Sequence, residues 1–537
     1  MGAFLLIALL LKGAVLVTAL SKDPLFSPPT SDALYYLTRA QGILGVIDDP
    51  LANQTYHLPP LYPFILAAIP GVSTGHLVGV AFVQALAGTL ALYGVYLLAR
   101  RRISSQGALL AAALSLAYGP LTFFEMKLLG DSIAYDLLIA GLLAADYLFL
   151  RPSPVRAGVM GVLFSLAALL RPQFLLLLPV LAVWLGLKDR HLAIGFLVAA
   201  ALVIAPFTAH NMSTSGEFIP ISDNGGVNLW LANGKDAPMT GTFETKNPSF
   251  GDIATQSETA RMVAKGHGLT ELSPGTVSTH LGTLAFNDIA AAPLTFLHRV
   301  FLRGRALLES FQTGIVAVPE VEKQVLTPLP LLAIPFGLLA GLALASWIIG
   351  GRLRCPPVFP SYAVIGVVIF TTLLFFHYER FRLPLVPLLA IQVGAGWDAW
   401  NKNRPPTKKW LLACVLGLGV TWISFLPAPH HDLARANGFT SLGSARLEKA
   451  LLARGSNSPG EYQRLANQAL NEAQIALQHQ PGFTRADLLA VRAYLTLDRY
   501  EEADAHLTKI EAANPQYPPA VGLRSLLEKR LATLPDR

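Results

Sequence analysis

The sequence predicts an α-helical polytopic membrane protein of about eleven transmembrane helices, followed by a small C-terminal α-helical module. Three observations predict it. The 537 residues are 53% hydrophobic and only 14% charged, with a mean hydropathy of +0.48, where soluble domains carry about 25% charged residues. Apolar runs of spanning length recur through the first 427 residues, and basic residues collect in every second loop between them. The net charge of +7 raises nucleic acid as a partner, but the bases sit in short inter-helix loops and read as orientation signals. No nucleic-acid partner is expected.

A crossing takes about 20 mostly apolar residues. Candidate spans lie at 2–20, 76–99, 107–123, 132–150, 157–170, 173–187, 192–209, 327–349, 358–376, 384–400 and 410–427. The two on either side of Arg171-Pro172 are short. The first resembles a signal peptide at Val17-Thr18-Ala19, but lacks a basic segment ahead of it, which favours an anchor. Arg100, Arg101 and Arg102 follow the second span, and Arg151 and Arg156 the fourth. Lys188 and Arg190 follow the sixth, Arg352 and Arg354 the eighth, and Lys402, Arg404, Lys408 and Lys409 the tenth. Basic loops face the cytoplasm. Segments 21–75, 124–131, 210–326, 377–383 and 428–537 therefore belong to the opposite, outer face.

This divides the chain into a transmembrane domain, 1–427, with a large outer loop at 210–326, and a module at 428–537. In the module, Pro481, Phe483 and Ala486 recur as Pro515, Tyr517 and Ala520, and Ala469 recurs as Ala503, each at a spacing of 34 residues. That period, with small residues where helices cross, is tetratricopeptide-like. About two repeats fit, so the module is expected to pack on something else. Cys355 and Cys414 form neither a disulfide framework nor a metal-ligand spacing. No cofactor is expected, and nothing requires a metal, although the outer-face aspartates and glutamate could hold one.

Charges on the outer face that orientation does not require carry the chemistry. Arg171, Arg380 and Arg382 are candidates to bind phosphate, whose oxygens match the guanidinium fork. Snorkelling to the headgroups is the alternative for each. Asp32, Glu125 and Asp131 place carboxylates on the same face. Asp32, Tyr35, Tyr36 and Arg39 share one side of a helix. Asp32 also suits the positive end of that helix's dipole without any further role. Asp136 and Asp146, deeper in the fourth span, are expected to be paired within the bundle. His57 precedes the extended turn Pro59-Pro60-Leu61-Tyr62-Pro63, as ligand, hydrogen-bonding partner or interfacial residue. Asn224, Gly225, Gly226 and Asn228 shape either a pocket or a Gly-Asn turn.

Taken in order, Asp32, the PPLYP turn, YGPLTFFE (118–125), ALLRP (168–172), ISDNGGVNLWLANG (221–234) and RFRLPLVP (380–387) resemble a family of polytopic glycosyltransferases that use polyprenyl-phosphate-linked sugars. The chain looks like bacterial relatives of protein O-mannosyltransferases and of lipid A aminoarabinose transferases, in glycosyltransferase family 39, over residues 30 to 390 or so. It departs where the common Asp-Glu pair reads Asp32-Ala33 and where Lys-Pro-Pro reads Leu58-Pro59-Pro60. The resemblance implies a GT-C-like fold in the bacterial inner membrane, with active site and C-terminus facing the periplasm. It implies transfer of a sugar to a protein, lipid or glycan hydroxyl or amine, with inversion. Asp32 would be the catalytic base and Glu125 would orient the acceptor or the sugar. Arg171, Arg380 and Arg382 would hold the donor phosphate. Tyr35, Tyr36, Arg39, His57, Tyr62, Asp131, Asn224 and Asn228 would bind substrate. The repeats would offer a surface to a protein partner. A transporter or flippase of lipid-linked sugars and a membrane-anchored tetratricopeptide scaffold are the rival readings. No internal repeat between halves of the membrane region supports the first, and the scaffold leaves the outer-face Asp, Glu and Arg set unexplained.

Overall fold

In a computed structural model, the protein is described over residues 1–26, 29, 31–242, 253–314, 317–351, 358–402, 405–454, 459–513 and 517–532. Arg352, Arg354, Cys355, Arg404 and Pro515 lie outside the described residues. Helix is present in each of the eleven candidate spans. The first part of the chain forms α1 (Gly2–Lys22), α2 (Ser31–Ile43), α3 (Leu61–Ala67), α4 (Val78–Arg100), α5 (Ser105–Leu116), α6 (Gly119–Glu125), α7 (Asp131–Leu150), α8 (Pro154–Leu170), α9 (Leu177–Gly186) and α10 (Arg190–Ser215). Of all described helices, α1, α4, α7 and α10 are long and apolar enough to cross a membrane. Five further apolar segments are shorter. The protein is an integral membrane protein.

Two polar features pin this bundle internally. Lys12, midway along α1, is buried against Glu125 at 2.6 Å. An unpaired ammonium at that depth would cost about 2.5–3.5 kcal/mol. Asp146 of α7 accepts from Arg102 at 2.6 and 2.9 Å, as expected of a paired intramembrane acid. Asp136, by contrast, has no hydrogen-bond partner for either carboxylate oxygen among the described residues.

The expected span at 107–123 is interrupted. Helix α5 stops after twelve residues, and the chain breaks at Ala117-Tyr118 before α6 begins. The Gly119 N–H donates to Leu332 O at 2.7 Å and the Ile334 N–H to Ala117 O at 3.0 Å. Any side chain on Gly119 would overlap the Leu332 carbonyl. All seven residues of α6 are buried, so Glu125 lies inside the bundle and not in a short outer loop.

The second part begins with the outer-loop helices α11 (Gly225–Asn233), α12 (Ile253–Gly266), α13 (Pro274–Ala291), α14 (Pro293–Leu308) and α15 (Pro319–Glu322). Returning apolar helices follow: α16 (Phe336–Ile348), α17 (Phe359–Leu374), α18 (Leu385–Lys402) and α19 (Thr407–Ser424). Arg303 of α14 donates to carbonyls at the ends of α11 and α17, including Leu373 O at 2.9 Å and Leu374 O at 3.0 Å. It thereby satisfies terminal groups that lack an intrahelical partner. Lys127, just beyond α6, bridges the buried carboxylates of Asp23 and Glu322. Their charges hold its ammonium above the ordinary lysine range although burial alone would lower it.

The C-terminal module is α20 (His430–Arg454), α21 (Pro459–His479), α22 (Thr484–Thr496), α23 (Tyr500–Ala513) and α24 (Pro518–Ala532). Each helix packs on the next. Ala469, Ala486, Ala503 and Ala520, the positions in the 34-residue period, are all buried. Helix α20 seats Leu442 against Val318 and Val321, with Leu25 and Phe439 at the edge. The module thus docks on segments flanking α1 and α15.

Candidate active site

A cavity of about 790 Å³ opens among the starts of α2 and α11, the Leu58-Pro59 turn, Arg171 after α8, helix α13, and the chain leaving α17. All these elements come from segments assigned to the outer face, or from their junctions with the spans. Asp32 sits in the first turn of α2, directly after Ser31, whose φ of 51° is left-handed. Such a conformation in a non-glycine residue costs on the order of 1–3 kcal/mol and tends to occur at functional sites.

Asp32 accepts a hydrogen bond from Arg380 Nη1 at 3.3 Å. The other guanidinium donors of Arg380 have no hydrogen-bond partner among the described residues. Arg171 is ion-paired with Asp131 behind the cavity wall. The Arg171 and Arg380 guanidinium carbons each lie 5.6 Å from the Phe381 ring centroid. The aromatic face thus spaces two cations that would otherwise repel. Burial pushes the Tyr36 phenol well above its ordinary value, and Asp32 adds to the effect. Tyr36 therefore faces the cavity as a neutral hydroxyl.

Opposite, Asn224, Gly225, Gly226 and Asn228 line the cavity at the N-terminus of α11. Gly226 is required by packing, because a Cβ there would overlap the Ser278 carbonyl of α13. Its N–H donates to Ser278 Oγ at 3.0 Å. Leu176, Phe286, Phe370, Leu374, Phe375 and Phe376 form an apolar wall.

Asp32, Tyr36, Arg171, Arg380, Asn224 and Asn228 all line this cavity. The other expected residues stand elsewhere. Arg382 is fully buried: it ion-pairs with Glu379 at 2.5 Å and donates to Leu307 O at 2.9 Å and Glu309 O at 2.6 Å. It does not reach the cavity because those carbonyls end α14 and need donors. Glu125 is engaged by Lys12. Arg39 pairs with Asp49 at 3.3 Å, and the Tyr62 hydroxyl donates to Gln84 at 2.8 Å. Tyr35 packs at the core's edge, and Asp131 acts on the cavity through Arg171.

His57 supports the cavity from behind. Its Nδ1 lies 2.7 Å from Asp223 Oδ1 and its Nε2 2.9 Å from Gln256 Oε1, and Gln256 lines the cavity. Burial alone would lower its pKa, but the hydrogen bond and charge of Asp223 outweigh that and raise it above 6.5. Only the doubly protonated ring donates to both oxygens. The contribution is complete below pH 6.5, the unfolded value, and is lost as pH rises through the higher folded-state value. Proteolysis within α12 is accordingly expected to accelerate with rising pH through that window. His57→Gln should flatten the pH dependence.

Phe381 and Asp223 are further functional candidates; they lie within RFRLPLVP and ISDNGGVNLWLANG, but nothing local in those motifs marks a role for them. Ser278 and Thr279, also at the cavity, carry no sequence signal at all.

The fold and site define a polytopic membrane protein with a carboxylate–arginine pocket bordered by an apolar wall. Residues 57–211 match a family described as dolichyl-phosphate-mannose-protein mannosyltransferase. That match supports a membrane glycosyltransferase. Among solved structures, the chain is similar to the apo Archaeoglobus fulgidus oligosaccharyltransferase at 15% identity and a TM-score of 0.43, over 82% of this chain and 57% of that one. It is also similar to the archaeal oligosaccharyltransferase AglB from Archaeoglobus fulgidus in complex with an inhibitory peptide and a dolichol-phosphate. There the identity is 16% and the TM-score 0.36, over 82% and 58% of the two chains. The chain thus spans less than three-fifths of those structures' length. No curated protein matches it by sequence.

Proposed function

We propose that this protein transfers a sugar from a polyprenyl-phosphate donor to an acceptor hydroxyl or amine, at a pocket facing the periplasm of a bacterial inner membrane. The observation that carries the reading is Asp32 against Arg380, with Arg171 across Phe381, in a cavity with one apolar wall. A lipid phosphate needs cations beside apolar surface; an attacking hydroxyl needs a base.

The residues divide the work. The apolar wall takes the first isoprene units, and Arg380 and Arg171 take the phosphate. Asp32 accepts the proton as the acceptor oxygen or nitrogen attacks the anomeric carbon. The bond from that carbon to the phosphate oxygen breaks, and the polyprenyl phosphate leaves with the charge that the arginines neutralise. A single in-line displacement inverts the anomeric centre. Asn224 and Asn228 face the sugar; Asp131 and His57 hold the pocket from behind, with Tyr35, Arg39 and Tyr62 in its supporting layer. The family description, with its lipid-phosphate sugar and protein acceptor, supports this donor class. A protein acceptor or partner is the natural ligand for tetratricopeptide-like repeats on α20 to α24, with lipid and glycan as the other acceptor classes.

The test is purified protein supplied with a labelled polyprenyl-phosphate sugar and envelope acceptors. Transfer with release of polyprenyl phosphate is the expected result. Movement of the donor across liposomes without transfer would overturn the reading in favour of a transporter.

A further inference from the structure

We infer that Glu309, His430 and His431 form a binding site for a divalent transition metal, zinc being the best match, that fastens the C-terminal module to the membrane body. Glu309 follows the end of α14 and the two histidines open α20, more than a hundred residues later. His430 Nε2 lies 2.7 Å and His431 Nε2 3.0 Å from the same carboxylate oxygen, Oε2. The three ligand atoms fall within 4.8 Å of one another, and the Glu309 side chain is 1% exposed.

The convergence is built. Neighbouring residues of a helix point about 100° apart, so two adjacent imidazoles reaching one oxygen must be steered there. His431 is stacked on Phe311 with ring centroids 4.1 Å apart and planes at 13°. His430 sits edge-on to His431 at 4.9 Å. Arg305 Nε stands 3.4 Å from the carboxylate's other oxygen, and the same side chain is anchored by its Nη2, which donates to Pro427 O at 2.5 Å. That leaves Oε2 to face the rings.

Two imidazoles and a carboxylate are a set that zinc takes at about 2.0–2.2 Å, with a fourth position for water. Tetrahedral geometry at that bond length separates donors by about 3.4 Å. The two imidazole–carboxylate separations of 2.7 and 3.0 Å thus need to widen by under about 1 Å around the ion. His431 and Phe311 line a cavity of about 390 Å³, which provides an entry path and room for the water. None of the three ligands lines the Asp32 pocket, so the inference stands independently of the proposed transfer.

The test uses untagged full-length protein in detergent, stripped with a chelator and titrated with zinc or cobalt(II). One equivalent should bind, cobalt should show the visible d–d absorption of a four-coordinate nitrogen–oxygen site, and added zinc should raise the unfolding temperature. Glu309→Gln and His431→Gln, which keep hydrogen-bonding capacity at both positions, should each weaken binding by at least about 100-fold. Wild-type protein that binds no equivalent would overturn the proposal and leave the trio as a hydrogen-bonded latch. Binding unchanged in both variants would overturn it equally, by placing the ion elsewhere.

Discussion

Asparagine in place of Asp32 is expected to reduce sugar transfer by about 10²–10⁴-fold, the usual contribution of a general base. Donor binding and folding should be preserved. The substitution is nearly isosteric and retains an oxygen for the hydrogen bond from Arg380 Nη1. What it removes is the capacity to accept a proton at the head of α2, on a residue placed there by the left-handed Ser31. Initial rates with labelled donor, together with donor binding measured separately, check it. Full transfer by the variant would sink the assignment. With Ala33 beside it and Glu125 engaged by Lys12, no other carboxylate reaches the cavity from these two motifs.

The second large effect concerns stability. Arg382→Met should destabilise the protein by about 3–5 kcal/mol, the cost of leaving a buried partner charge uncompensated. Glu379 would lose its ion pair, and the Leu307 and Glu309 carbonyls would lose their donors, all at fully buried positions. The same change at Arg380 should leave stability within about 1 kcal/mol, as for a partly exposed pair, while weakening donor binding. Unfolding midpoints and donor affinities of the two variants give opposite patterns under this assignment. Loss of donor affinity without loss of stability in Arg382→Met would restore it to the pocket.

That contrast shows where sequence reading reached. The apolar segments were legible because hydropathy accumulates over many residues, and outer-face charges stood out because membrane orientation does not require them. Asp32, Arg171 and Arg380 follow from this, Tyr36 from sharing a helix side with Asp32, and Asn224 and Asn228 from the family resemblance. Arg380 and Arg382 look alike in RFRLP, because nothing local says whether a guanidinium meets a substrate or the end of a distant helix. Glu125 reads as an outer-loop residue for the same reason: its partner, Lys12, is 113 residues away. Phe381 is in plain view in the sequence, but its value comes from two guanidinium groups lying near its ring. Adjacent histidines at 430 and 431 become a cluster only when Glu309 arrives from another element.

The break at Ala117-Tyr118 bears on how the protein is made. Twelve residues of α5 cover about 18 Å, short of a hydrocarbon thickness of about 30 Å, and Gly119 beyond the break lines a cavity with Glu320 and Lys323. Among the described residues, its free peptide groups find their partners at Leu332 and Ile334. Lipid supplies none. At about 5–20 residues per second, those partners emerge some 10–40 s later in synthesis. During that interval the peptide groups at the break lack the partners that the late segment brings.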